Sequence, residues 1–166
     1  MRNFKNITCI EELKKQYFAL AKKHHSDLTG GSDEKMKEIN AEYDELFKKY
    51  KDVHASHKEE GETYTAKEPT SEAPDDFKII ISALLRMGVS VELCGRWLWI
   101  GGNTKEHKDE LKALGCKWAA KKKLWSWHYP EDSVKKYRKG TLSMDSIRGT
   151  YGSVAFEAGE QLRLGA

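Results

Sequence analysis

The sequence predicts an α+β protein: an N-terminal antiparallel helical hairpin followed by an α-β-β-α-β-β-α domain with a four-stranded, mainly antiparallel sheet. Three observations carry this expectation. Two early segments repeat one helical apolar stripe, an acidic run without periodicity divides the chain, and beyond it short apolar segments come in pairs around glycine- or lysine-rich turns.

In the first segment Ile10, Leu13, Tyr17, Leu20, Ala21 and His24 recur three or four residues apart, which is one face of an α-helix. Met36, Ile39, Tyr43, Leu46, Phe47 and Tyr50 repeat that spacing. A short connection containing Gly30 and Gly31 joins the two, so the stripes should close on each other in antiparallel fashion. His24-His25-Ser26-Asp27 is then presented at the bend. Thr8 to Glu11 reads as a capping box that starts the first helix, and Ser32 with Asp33 and Glu34 as the start of the second. Phe4 and Ile7 are expected to cover one end of the pair.

Charge alternates along the chain. Residues 1–58 hold 12 basic and 10 acidic side chains (+2), residues 59–76 hold one and seven (−6), and residues 77–166 hold 16 and nine (+7). The acidic stretch contains two of the three prolines and reads as a flexible, extended linker. The expected organisation is a helical hairpin over 1–58, a linker over 59–76, a tryptophan-rich basic domain over 77–150 and a disordered tail over 151–166.

The second domain opens with Phe77, Ile80, Ile81, Leu84 and Leu85, a helical stripe that Gly88 closes. Val89, Val91 and Leu93 alternate as a strand, and Cys94-Gly95-Arg96 turns it into the strand Trp97 to Ile100. A helix capped by Asn103 or Thr104 runs to Leu114 and stops at Gly115. Cys116 to Ala119 and Leu124 to Tyr129 form a second hairpin. Pro130 should open a final substantial helix, and Ser143 to Arg148 one more turn. The helices should pack on one sheet face.

Composition limits the chemistry. Cys9, Cys94 and Cys116 match neither a disulfide framework nor a Cys-x-x-Cys zinc site. The adjacent His24 and His25 do not share a helix face, the pair His54 and His57 lacks a carboxylate or cysteine cluster at ligand spacing, and no nucleophile stands beside His25 and Asp27. A non-enzymatic protein without metal or cofactor is expected. The first ten residues hold no long apolar run and the chain no run of eighteen, so neither leader nor membrane contact is expected and the compartment should be the cytoplasm.

All five tryptophans lie within 31 consecutive residues. Period-2 geometry places Trp97 and Trp99 on one face of their strand, and Trp125, Trp127 and Tyr129 on one face of theirs. Residues 104–139 add eleven cations against five acids. Aromatic faces beside cations suit base stacking and phosphate contact, so Trp97, Trp99, Lys117, Lys121, Lys122, Lys123, Trp125 and Trp127 are candidate nucleic-acid-binding residues.

LKKQYFALAKKHHSDLTGGSDEKMKEINAEYDELF resembles helices II and III of a J domain, the DnaJ-type module that docks on DnaK-type chaperone ATPases and stimulates them. The resemblance covers about residues 8–50, and the family's His-Pro-Asp bend maps onto His25, Ser26 and Asp27. It implies docking through those three residues and the lysines Lys14, Lys15, Lys22 and Lys23, with an unidentified client carried by the second domain. Full J domains have an earlier helix, whose place Phe4 and Ile7 would take here. Serine in place of proline frees two backbone positions. Losing a compatible proline costs only about 0.4–1 kcal/mol, so the fold should survive while the docking loop needs ordering on binding.

The whole chain is similar to small DnaJ-like proteins of Firmicutes chromosomes, phages and plasmids. Within it, GNTKEHKDELKALGCKWAAKKKLWSW is reminiscent of the HARP modules of annealing helicases, which implies contact with single-stranded or branched DNA. The alternative to a co-chaperone is therefore a nucleic-acid-binding protein of a mobile element, its hairpin serving only as a protein contact.

Overall fold

The computed structural model describes residues 3–25, 32–57, 62–67, 69–129 and 142–156. Among them are five helices and two antiparallel sheets, a mixed α+β architecture. The chain divides into two compact units, one up to Arg86 and one from Met87.

The first unit contains α1 (Ile10–His24), α2 (Asp33–Tyr50), the two-stranded ribbon β1 (Val53–His57) and β2 (Thr63–Lys67), and α3 (Pro74–Met87). The helices α1 and α2 meet at mid-length, where the Tyr17 and Tyr43 rings lie 4.7 Å apart and the Tyr17 hydroxyl donates to Asn40 Oδ1 at 3.0 Å. They run in opposite directions. Glu11, at the start of α1, reaches His54 just beyond the end of α2, whereas His24 at the end of α1 feels the charge of Lys35 at the start of α2.

Burial along α1 is wider than one stripe. Ile10, Leu13, Tyr17 and Ala21 are inside as the spacing predicts, but Lys14 and Phe18 join them, while Leu20 and His24 stay half-buried. The cause is a second covering layer from residues 72–77. Glu72 places Oε1 2.5 Å from Lys14 Nζ, and the Phe77 ring lies 5.3 Å from that ammonium and meets Tyr17 edge-on at 6.0 Å. Lys78 bridges Asp44 of α2 at 2.6 Å.

This differs from a flexible linker over 59–76 ahead of a second domain starting at residue 77. Its described part contains β2, in register with β1 from Val53↔Lys67 to His57↔Thr63, and continues into the buried Glu72. The division into units falls at residue 86, after α3.

The start of α1 also differs. Its N-cap is Cys9 rather than Thr8 and makes no side-chain capping bond, and Ser32 occupies the N-cap of α2 without one. Phe4 is buried against Tyr43 as expected, and Ile7 is half-buried. Glu42 holds that end by accepting from the Asn3 and Phe4 backbone N–H groups.

The Tyr43 hydroxyl is buried without a hydrogen-bond partner among the described residues, and burial with the nearby Glu72 charge holds it far above the ordinary phenol range. A buried donor left unsatisfied costs about 1–3 kcal/mol. Tyr43→Phe is therefore expected to leave stability unchanged or raise it by about 1 kcal/mol, read from the urea midpoint. A loss above that size would mean the hydroxyl is used.

The second unit carries a five-stranded sheet ordered β5-β6-β4-β3-β7, built from β3 (Ser90–Cys94), β4 (Trp97–Gly101), β5 (Lys117–Ala119), β6 (Leu124–Trp127) and β7 (Val154–Phe156). Every neighbouring pair is antiparallel. The two hairpins follow the sequence pattern. Gly95 (φ +59°) makes the first tight turn, where Cys94 pairs with Trp97.

The fifth strand, β7, lies in the stretch expected to be a disordered tail, and pairs Phe156 with Val91. The helix α4 (Lys108–Ala113) is shorter than expected, with His107 rather than Asn103 or Thr104 at its N-cap, and Gly115 (φ +83°) follows its end. The last helix, α5 (Met144–Tyr151), is capped by the Ser143 hydroxyl accepting from Ser146 N–H. The helix expected from Pro130 lies outside the described residues.

Candidate functional site

At the end of α1 the helix terminates on His25, whose N–H donates to Ala21 O at 2.8 Å and whose backbone turns extended (φ −65°, ψ 129°). Its side chain is buried, 8% exposed. Ser26 and Asp27 lie outside the described residues. Of the four lysines assigned to docking, Lys15 and Lys23 are exposed and Lys22 is half-buried.

Lys14 departs from that assignment. At 4% exposure, paired with Glu72 and lying over Phe77, it is occupied in holding residues 72–77 onto α1. The stripe placed it off the α1–α2 seam correctly. What the stripe omits is a third layer on that side.

Beside the bend, burial together with Lys23 and Lys35 holds the His24 imidazole below the ordinary histidine range. The neutral ring is the one the fold favours, so its contribution is present above the unfolded value, near 6.5, and is lost as pH falls through the lower folded value. An NMR titration should find His24 protonating at lower pH than an unperturbed histidine, with cation repulsion growing at the bend as it does so. A midpoint above 6.5 would contradict this.

In the second unit the register decides which aromatic residues share a surface. Glu92, Trp99, Ser126 and Lys117 are successive partners across four strands, and Leu93, Leu98 and Trp127 are partners on the other side of the pleat. Alternation then places Trp97 and Trp99 on one face, and Trp118, Trp125 and Trp127 on the opposite one with Val91, Ile100 and Phe156. The eight candidate nucleic-acid residues are therefore divided between two faces. Trp125 and Trp127 belong to the face with the aliphatic core, and Trp125 is buried.

The Trp97 face has its own construction. Trp97 and Trp99 stack at 5.7 Å with an interplanar angle of 16°, and His128 lies 3.9 Å from Trp97. From the turn between β5 and β6, where Lys123 adopts φ +54°, Lys122 brings its ammonium to 5.6 Å from the Trp99 ring and donates to Leu142 O. Lys117, Lys121 and Lys123 are exposed. Ser126 is the strand partner of Trp99, and the bare Gly101 leaves room for the Leu124 side chain, whose Cδ2 would lie 2.9 Å from a Cβ placed there.

The far end of this face is closed by α5. Arg148 donates from Nε and Nη2 to the two oxygens of Glu92 at 2.6 and 2.8 Å, a bidentate pair, and the Tyr151 ring lies against Gly95. That guanidinium holds the Glu92 carboxyl below the usual range.

No family model, no curated protein and no solved structure matches this chain. Chemistry at the described residues supplies the remaining constraints. Burial pushes the Cys94 thiol up to about 12 and the Cys116 thiol to about 11, so neither is a thiolate at neutral pH. Among the described residues no group of three His, Cys, Asp or Glu side chains is placed to hold a metal ion, and no helix is long and apolar enough to cross a membrane.

Sequence reasoning missed the Lys14–Glu72 pair and the role of His128. Glu72 sits 58 positions from Lys14 in an acidic run whose members look alike. His128 could have been found by continuing the alternation of β6 one residue beyond its paired end, opposite Trp97.

Proposed function

We propose that this chain is a non-enzymatic J-type co-chaperone or adaptor of the cytoplasm. Its first unit docks on a DnaK-type chaperone ATPase through the bend after α1, and its second unit carries the client. The observation that supports this reading most is the opposed pair α1 and α2, zipped through Tyr17 and Tyr43, with His25-Ser26-Asp27 following directly on the last turn of α1.

Docking in this reading is electrostatic. Lys15 and Lys23 present positive charge along α1, complementary to an acidic partner surface, and such contact weakens as salt rises. Lys14 contributes only by fixing the third layer. The His25 side chain is buried at the end of α1, so docking through it requires that side chain to come out as the partner binds.

The test is steady-state ATP turnover by a DnaK-type chaperone with increasing amounts of this protein. Turnover should rise saturably, fall with salt, and be lost in the double charge reversal Lys15→Glu/Lys23→Glu. Ser26→Pro should keep or increase the stimulation, because it restores backbone restraint at the bend. Stimulation that survives the charge reversal would contradict the docking surface proposed here.

A further inference from the structure

The Trp97 face of the second unit has a feature that internal packing does not account for. Trp99 is 7% exposed, and its indole N–H has no hydrogen-bond partner among the described residues. Buried donors are almost always paired, and one left alone costs about 1–3 kcal/mol. Ser126, the strand neighbour of Trp99, uses its hydroxyl to donate to Lys117 O instead.

Three further properties surround that donor. Trp97 stays partly exposed while stacked on Trp99 and touching His128, so the aromatic surface extends from the buried ring toward solvent. Lys122 lies over the Trp99 ring and exposed Lys117 follows on the same face, both cations within a segment of net +6. Glu92, an acidic group on this face, is already neutralised by Arg148. Aromatic rings, cations and an unused donor together are complementary to a polyanion that carries flat rings and carbonyl oxygens.

We propose that this face binds single-stranded nucleic acid, one base stacking at Trp97, phosphates meeting Lys122 and Lys117, and a base or phosphate oxygen accepting from Trp99 Nε1. A duplex keeps its bases stacked internally and cannot offer them to Trp97, so the site selects the unpaired strand. The surface goes beyond chaperone docking and involves none of its residues.

The test is fluorescence anisotropy with the full-length protein and a labelled oligothymidylate, its duplex with oligoadenylate, and an abasic strand of equal length. The single strand should bind at low salt at least tenfold more tightly than the other two, and binding should weaken as salt rises. Trp97→Ala should weaken it about tenfold or more, the cost of one base stack, with Trp97→Phe restoring most of the loss. Lys122→Gln should weaken binding and flatten the salt dependence. Trp118→Ala, an exposed indole on the opposite face, should change affinity less than twofold.

Equal affinity for the abasic strand would reduce the contact to charge alone and overturn the stacking site. Preference for the duplex, no binding at low salt, or a larger loss with Trp118→Ala than with Trp97→Ala would overturn it as well. If Trp97→Ala unfolds the unit, as far-UV circular dichroism would show, the Trp97→Phe, Lys122→Gln and abasic-strand results decide. None of these outcomes depends on whether chaperone turnover is stimulated.

Discussion

Glu72→Ala is expected to destabilise the first unit by about 3–5 kcal/mol, because it strands the Lys14 ammonium in a site that is 4% exposed. The pair is buried on both sides, with 6% and 4% of the two side chains exposed, so water cannot take over for the missing carboxylate. Replacing both partners by apolar residues, as in Lys14→Met/Glu72→Leu, should recover most of the loss, since desolvating two charges costs about as much as their attraction returns. Urea unfolding of the three variants measures this directly. A Glu72→Ala change below 1 kcal/mol would mean that the ammonium escapes to solvent and that residues 72–77 are not held on α1.

Phe77→Ala should be of similar size, about 3–5 kcal/mol, since it empties a fully buried ring site. Phe77 lies edge-on to Tyr17 and beneath Lys14, so its removal also weakens the cation contact and the effect will not add to that of Glu72→Ala. The two substitutions test one physical statement: the first unit is a three-helix body that ends near Arg86. A fragment of residues 1–86 should accordingly unfold cooperatively, whereas residues 1–58 should show a shallow transition. Equal cooperativity in the two fragments would put α3 outside the first unit.

The helical parts of this architecture are plain in the sequence because a buried helical face imposes a period. Tyr17, Ala21, Ile39, Tyr43 and Phe47 repeat at that period and are all inside. Hairpins β3–β4 and β5–β6 were legible for a similar reason, with glycine or a basic turn between alternating segments.

The ribbon β1–β2 was not legible. TYTAK is almost wholly exposed, while in VHASH Val53, Ala55 and Ser56 are half-buried and His54 is buried against Glu11. Neither segment holds an apolar alternation, so backbone pairing and a polar contact stabilise the ribbon without leaving an apolar signal. Likewise β7 is three residues long and takes its identity from the open edge of β3, which the local sequence does not encode.

The candidate surfaces divide along the same line. Alternation places Trp97 with Trp99, but only the inter-strand register shows that Trp125 and Trp127 face the other way. One residue of slip would have brought all four together. Lys14 illustrates the limit for charges: a lysine off an apolar stripe looks solvated until its distant carboxylate is known. The bend is the reverse case, where His25, Ser26 and Asp27 can be named from sequence alone and the chemistry rests on what they meet.

ATP turnover by a DnaK-type chaperone, measured with saturating wild-type protein and with Asp27→Asn side by side, tests the account most directly. Turnover should be faster with the wild type and stay at the basal rate with Asp27→Asn, both proteins showing the same thermal unfolding. Basal turnover with the saturating wild-type protein would contradict it.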